Sequence, residues 1–336
     1  MATIQDVARK ARVSTATVSR VINESGFVSE ELKNKVRQAL NELDYRPNSF
    51  ARSLRKKQSY LIGLMISDIA NPFFTALVRG VEDVVNDSGF NLILCNTDEM
   101  EEKERAYVEL LCEKRVDGVI MAPAGHSRGH VEMFQRYGIP VVFVDRELEG
   151  VKVDAVLLDN VKGAQLATTH LISLGHRRIG VIAGRPDIST TWGRLEGYRR
   201  ALHEQGIEFS PDLVVGSDSR IDGGYRGAQA LLSLRERPTA IFATNNLVTI
   251  GAMKFMKETG VRIPADISIV GFDDFESTSI VDPPLTVVAQ PTYQIGQTAA
   301  TTLVKRVKRK GKQVRRIKIV RLEPELVIRQ SCGARM

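Results

Sequence analysis

From residue 60 to residue 289 short apolar runs recur at intervals of about 25 to 30 residues, and between them apolar positions are spaced three and four apart. The runs read "YLIGLMI", "FNLILC", "DGVIM", "PVVFV", "AVLLD", "RIGVIA", "LVVG", "TAIFA", "ISIVGF" and "LTVVA". Strand patterns that alternate with helix patterns in this way predict parallel sheets with helices on both faces. About ten strands before the C-terminal segment suit two doubly wound subdomains, divided near residue 161. No apolar run approaches the roughly 20 residues that a membrane span requires.

The first 45 residues carry a different pattern. Thr3 can cap a helix with Asp6 in a near capping box, and Ile4, Val7, Ala8 and Ala11 then share one face. Residues 11–13 form a short turn, Ser14 caps a second helix, and Val18, Val21 and Ile22 of that helix point inward. A third helix starts near Ser29, with Val36, Leu40 and Leu43 closing a small core. Three helices in so short a segment predict a helix-turn-helix domain. Its second helix would then present Thr15, Ala16 and Arg20 to a major groove, while Ser14, Ser19 and Asn23 are placed for phosphates. Two amphipathic helices that merely pack together are the plainer alternative.

Residues 45–59, "YRPNSFARSLRKKQS", have Pro47 at a helix-start position and end in Arg55, Lys56 and Lys57. A helix this short is marginal in water and would form only against a partner. Leu54, between Arg52 and Arg55, suits an apolar wedge inserted into a minor-groove base step. An ordinary basic tether is the alternative here.

Charge sharpens the picture. Residues 1–58 hold 12 Lys and Arg against 6 Asp and Glu, whereas the other 278 residues hold 35 against 34, so most of the net charge of +7 lies in the N-terminal arm. That asymmetry points to a polyanion. The run "KRVKRKGKQVRR" near the C-terminus reads as a solvated helix end and loop. Charged residues interrupt the first 20 positions, which excludes a secretory h-region and leads us to expect a cytoplasmic protein. Cys95, Cys112 and Cys332 form no C-x-x-C pair and read as packing residues.

With "DVA..A.VS..TVSRVIN" followed by "YRPN..AR.L", the chain resembles the lactose-repressor (LacI/GalR) family of bacterial transcription regulators over essentially its whole length. The resemblance implies DNA contacts from Thr3, Ser14, Thr15, Ala16, Thr17, Ser19, Arg20, Asn23, Asn48, Ala51, Arg52 and Leu54. It also implies a near-palindromic operator and a homodimer; with no added apolar heptad tail before Met336, a coiled-coil tetramer is not expected. Arg12 stands where the family commonly has Gly, which would store some backbone strain. The expected organisation is a helix-turn-helix domain over 1–46, a hinge over 47–58, one core subdomain over 59–161 plus about 292–321, and a second over 162–291 plus about 322–336.

Ligands of doubly wound sheets bind beyond the carboxyl ends of the strands. The polar and aromatic residues there supply hydroxyl partners and faces for sugar C–H surfaces. The set also resembles that of periplasmic ribose-binding proteins. That resemblance implies pentose contacts from Ser67, Asn71, Phe73, Phe74, Asp145, Arg146, Arg194, Asn245, Phe272, Asp273 and Gln290, with Asn246 replacing the usual Asp. Arg194 falls at a predicted helix start.

Phosphate-loop, dinucleotide and G-x-S-x-G motifs are missing, so no enzyme and no cofactor is expected. His126 and His130 have i, i+4 metal spacing, but without a third ligand they read as exposed helix residues. The expected function is a repressor released from its operator by ribose or another pentose. The alternatives are a purine-like corepressor, a hexose, a protein partner, or a sugar-binding module with no regulatory role.

Overall fold

The computed structural model describes residues 2–45, 58–309 and 316–334. The expected hinge, with Pro47, Asn48, Ala51, Arg52 and Leu54, lies outside the described residues. Between Ser59 and Tyr60 the chain divides into two compact units.

The first unit contains α1 (Ile4–Ala11), α2 (Thr15–Ile22) and α3 (Glu30–Glu42). Each start follows from its cap. The Asp6 N–H donates to Thr3 Oγ1 (3.3 Å) while the Thr3 N–H donates to Asp6 Oδ2 (2.9 Å), a complete capping box. Ser14 Oγ accepts the Thr17 N–H at 3.1 Å and opens α2. The turn between them forces Arg12 to φ 53°, a left-handed conformation that costs a side-chain-bearing residue about 1 kcal/mol or more. Val7, Val18 and Val36, one from each helix, are wholly buried together.

The second unit holds two six-stranded sheets. In chain order its elements are β1 (Leu61–Ile66), α4 (Pro72–Asp87), β2 (Asn91–Asn96), α5 (Glu101–Glu113), β3 (Gly118–Met121), α6 (Arg128–Arg136), β4 (Val141–Val144) and β5 (Asp154–Leu158). Then follow α7 (Asn160–Ser173), β6 (Ile179–Ala183), α8 (Ser189–Glu204), β7 (Val214–Gly216), α9 (Ile221–Leu232), β8 (Ala240–Ala243), α10 (Asn246–Thr259), β9 (Ser268–Phe272), α11 (Glu276–Ile280) and β10 (Thr286–Ala289). The chain ends with α12 (Thr292–Lys308), β11 (Ile319–Leu322) and β12 (Glu325–Val327).

The sheets repeat one plan, with strand orders β2-β1-β3-β4-β5-β11 and β7-β6-β8-β9-β10-β12. The pairing of β12 with β10 is antiparallel; the other pairs in both sheets are parallel. Buried on both faces, the central strands are nearly continuous apolar runs, such as LIGLMI in β1 and AIFA in β8, without polar alternation. The chain passes between the sheets three times: after β5, after β10 and after β11.

Glycines set the closest helix contacts. A Cβ on Gly251 of α10 would stand 1.9 Å from the Ile221 carbonyl oxygen of α9, and one on Gly224 of α9 would stand 2.2 Å from that of Val248. Across α4 and α12, Gly80 and Gly296 face carbonyl oxygens at 2.2 and 2.3 Å in the same reciprocal way. Gly251→Ala is therefore expected to push α9 and α10 apart and to destabilise the fold by about 1–3 kcal/mol, despite Ala's better helix propensity. Thermal unfolding checks this; an unchanged or raised Tm would show that the helices yield freely.

Two expectations are corrected here. His126 lies in a bend before α6, and His130 is not exposed but buried, with Nδ1 2.6 Å from Glu104 Oε1. Glu104 also accepts the Ala124 N–H at 2.6 Å. The pair is thus consumed in fixing the 122–127 loop, and the described residues contain no cluster suited to a metal. Arg194 sits in the second turn of α8 rather than at its start.

Candidate functional site

In the first unit, α2 turns Thr15, Ala16 and Arg20 outward, all exposed. The hydroxyls beside them are already engaged: Ser14 and Thr17 lie 2.9 Å apart, and Asn23 Nδ2 donates to the Ser19 hydroxyl at 3.3 Å as well as to its carbonyl at 2.7 Å. Thr3 is bound to Asp6. The helix thus offers a short free stripe of a methyl-bearing Thr, an Ala and an Arg between capped, rigid ends. Phe27, 93% exposed in the loop after α2, escaped the sequence reading because a lone apolar residue in a polar loop breaks no pattern.

In the second unit the carboxyl ends of the two sheets face each other across a cleft of about 670 Å³, part of it open to solvent. Of the expected ligand residues, Asn71, Phe73, Phe74, Asp145, Arg146, Arg194, Asn245, Asp273 and Gln290 line it. Asn71 and Asn245 are helix N-caps, accepting the N–H groups of Phe73 and Val248, so their side chains are aimed by α4 and α10. Asp145 follows β4 at φ 64° and Asp273 follows β9 at φ 75°. Their N–H groups donate to Val156 and Val288 on the next strand, so the two aspartates are counterparts in the two sheets. Holding a non-glycine residue in this region is strain retained at a site.

Ser67 and Phe272 do not line the cleft. Ser67 is fully buried just past β1, its hydroxyl without a hydrogen-bond partner among the described residues. Phe272 points into the core because strand alternation sends its neighbour Asp273 the other way. The guanidinium of Arg194 covers its ring at 3.8 Å, so Phe272 acts as the seat of that cation.

Both arginines are preset. Arg146 donates from Nε to Asp145 (3.1 Å) and from Nη1 and Nη2 to the two oxygens of Glu99 (2.7 Å each). A longer bond from Nη1 to Pro123 O leaves Nη2 with one free proton. Arg194 donates to Asn160 and to Thr244 O, which leaves Nη2 unengaged. Burial would lower the pKa of Arg146, but Glu99 and Asp145 outweigh it and raise the value. For Arg194 burial prevails and lowers it.

Glu99 and Arg185 were not foreseen. Glu99 Oε2 lies 3.6 Å from Arg185 Nη1, and Arg185 also donates to the Glu99 carbonyl. Arg220 reaches the Asp98 carbonyl at 3.4 Å. Asn246 is buried and donates from Nδ2 to Asn71 Oδ1 at 2.7 Å, a link between the subdomains that the carboxylate usual at this position could not donate. These partners are far apart in sequence, which hid them.

Burial raises the pKa of Asp145 and of Asp273, against the opposing pull of the arginines. A carboxyl whose folded-state pKa is raised destabilises the fold once pH exceeds that value, and the penalty vanishes as pH falls to the unfolded pKa. Asp273→Asn is therefore expected to melt higher than the parent at neutral pH, with the difference closing as pH falls through the raised pKa. Melting curves from pH 8 down to about pH 4, the ordinary range of an Asp carboxyl, test this, and a pH-independent difference would remove the titration as its cause.

Two family models match the chain. Bacterial regulatory proteins of the lacI family match residues 3–48; periplasmic binding proteins and the sugar binding domain of the LacI family match residues 59–326. The ribose operon repressor of Halalkalibacterium halodurans is 41% identical over 331 residues, 98% of this chain and 97% of its own. The HTH-type transcriptional repressor PurR of Vibrio atlanticus is 38% identical over 332 residues, 98% of each chain. Among solved structures, the lac repressor dimer bound to operator and the anti-inducer ONPF gives a TM-score of 0.86 at 29% identity, covering 99% of both chains. A LacI family regulator from Enterococcus faecium with bound ribose gives 0.75 at 32% identity, over 82% of this chain and 100% of that one.

Proposed function

Because the chain belongs to the LacI family of bacterial regulatory proteins, and is thus a DNA-binding transcriptional repressor and not an enzyme, we propose that a neutral pentose, D-ribose, controls its operator affinity from this cleft. The observation that carries the reading is the facing pair Asp145 with Arg146 and Asp273 with Arg194. Two carboxylates accept from vicinal hydroxyls, and the remaining guanidinium protons donate to ring and hydroxyl oxygens. Phe73 and Phe74, in a T-shaped contact at 5.0 Å, supply apolar faces.

The charge balance supports a neutral ligand. The lining holds Asp68, Glu99, Asp145, Asp218 and Asp273 against Arg146, Arg194 and Arg220. Glu99 occupies the fork of Arg146 that would otherwise take a phosphate or a carboxylate. Relatives named for ribose and the neighbour with bound ribose agree with a pentose. A purine-like corepressor stays as a second reading, since a repressor named PurR is among the relatives at nearly the same identity. Arg194 covers Phe272, so that ring gives a flat base no stacking face.

In the proposed mechanism two copies place their α2 helices on the half-sites of a near-palindromic operator, as the dimeric lac repressor neighbour suggests. Ribose releases the DNA only insofar as it binds the two core conformations unequally, and a coupling of about 1–3 kcal/mol is typical. Calorimetric titration with D-ribose, followed by operator titrations with and without it, tests the reading. Trp192, two residues from Arg194 and 66% exposed, is a fluorescent reporter. Micromolar binding that weakens operator affinity supports it. Unchanged operator affinity at saturating ribose would sink the switch, and a purine base that tightens operator binding would establish the second reading.

A further inference from the structure

We propose that the end of the first sheet bearing Lys305, Lys308, Arg309, Arg316 and Lys318 is a second DNA-binding surface, which holds the phosphate backbone outside the operator. The inference rests on the DNA-binding assignment and is independent of the effector.

Charge in the core is segregated. Residues 292–322 contain ten Lys and Arg and no Asp or Glu, whereas the rest of residues 59–336 contains 25 against 34. A balance of +10 beside −9 is not the even mixture of an ordinary solvated surface. A helix C-terminus favours a cation or two in its last turn, which leaves most of this excess unexplained.

The described cations of the cluster are also left free. Lys305, Lys308, Arg309, Arg316 and Lys318 are exposed, and their side chains have no acidic partner among the described residues. Their neighbours are neutralised, Arg306 by Asp154 and Arg321 by Glu147. Asp154, 4% exposed, takes two bonds from Arg306 (2.6 and 2.7 Å) and the Lys318 N–H (2.8 Å), and Arg306 also donates to the Arg316 carbonyl (3.0 Å). One buried carboxylate thus pins the end of α12 and the start of β11, so these cations project from a fixed backbone.

Their position selects the polyanion. In the parallel register Ile319 pairs with Ala155, and Leu61 with Asn91, so the cluster lies at the amino ends of the strands, opposite the cleft. At this same end the chain enters the core at Tyr60 from the DNA-binding segment. Strand β11 stands four places from β1, roughly 19 Å at the usual strand spacing. Duplex DNA is the polyanion this protein binds, and cations at this end recognise its phosphates without reading sequence.

The test compares a duplex just covering the operator with one extended by about 15 base pairs on each side, over a series of salt concentrations. The parent protein is expected to bind the longer duplex about tenfold more tightly at low salt, with a steeper dependence on salt. The variant with Lys305, Lys308, Arg309, Arg316 and Lys318 all changed to Gln should lose that gain and flatten the salt slope by about 2 or more, since each phosphate contact contributes about 0.9. Its affinity for the short duplex should not change, which also reports a folded protein. Equal affinity of the parent for both duplexes overturns the proposal whatever the variant does, and so does a folded variant that keeps the gain. Tight binding of the parent to anionic lipid vesicles without any gain from flanking DNA would assign the surface to membranes instead and likewise overturn it.

Discussion

Arg146→Ala is expected to abolish ribose binding while the protein still binds its operator, giving a repressor that sugar cannot release. The guanidinium bridges Asp145 and Glu99, neither of which has more than 16% of its side chain exposed. Its removal leaves two carboxylates close together without their shared counter-charge. Taking one partner from a buried pair typically costs about 3–5 kcal/mol, which is at least a hundredfold in affinity if the cleft bears it. Part of this loss will appear as lower thermal stability. Arg146→Lys is the control: it keeps the charge but not the fork to Glu99, and should fold well and bind sugar weakly. Calorimetry with ribose and operator titrations check both variants. Retained sugar affinity in Arg146→Ala would place the ligand elsewhere.

Arg20→Ala is expected to act on the other function. Its exposed side chain stands one turn past Thr15 and Ala16 on a helix whose N-terminus is fixed by Ser14. A bidentate contact from Arg to guanine discriminates by about 1–3 kcal/mol, and a dimer makes the contact once per half-site. Operator affinity should therefore fall by about two orders of magnitude, and sequence preference should relax at one symmetric pair of positions. Random-sequence DNA should bind almost as before. Sugar affinity should not move. Titration against a panel of single-base operator variants checks this, and an equal loss on all DNAs would reassign Arg20 to phosphates.

The parts of the molecule set by local pattern were legible in the sequence. The apolar runs announced the strands, the caps Thr3 and Ser14 announced helix starts, and the rule of strand carboxyl ends, with the resemblance to ribose-binding proteins, led to Asp145, Arg146, Asp273 and Gln290. What escaped depends on register between distant segments. Glu99 meets Arg146 from 47 residues away, and Asn71 meets Asn246 from 175 away. Strand parity sends Phe272 inward, and a carboxylate on another helix turns His130 from a surface residue into a buried one. The burial of His130 is not encoded near that residue.

The three passages between the sheets have a mechanical consequence. A single connection would let the two halves swivel and slide, whereas three polypeptide segments side by side act as a flexure, compliant to bending about one axis and stiff to twist and shear. Occupancy of the cleft then fixes not merely whether the halves approach but along which path. With β1, six residues and roughly 20 Å long, as the arm, a rotation on the order of 10° swings the remote end of that half by about 3.5 Å. Under the proposed control, a sugar of a few hydroxyls would thus work a lever whose stroke is comparable to the rise of one base pair.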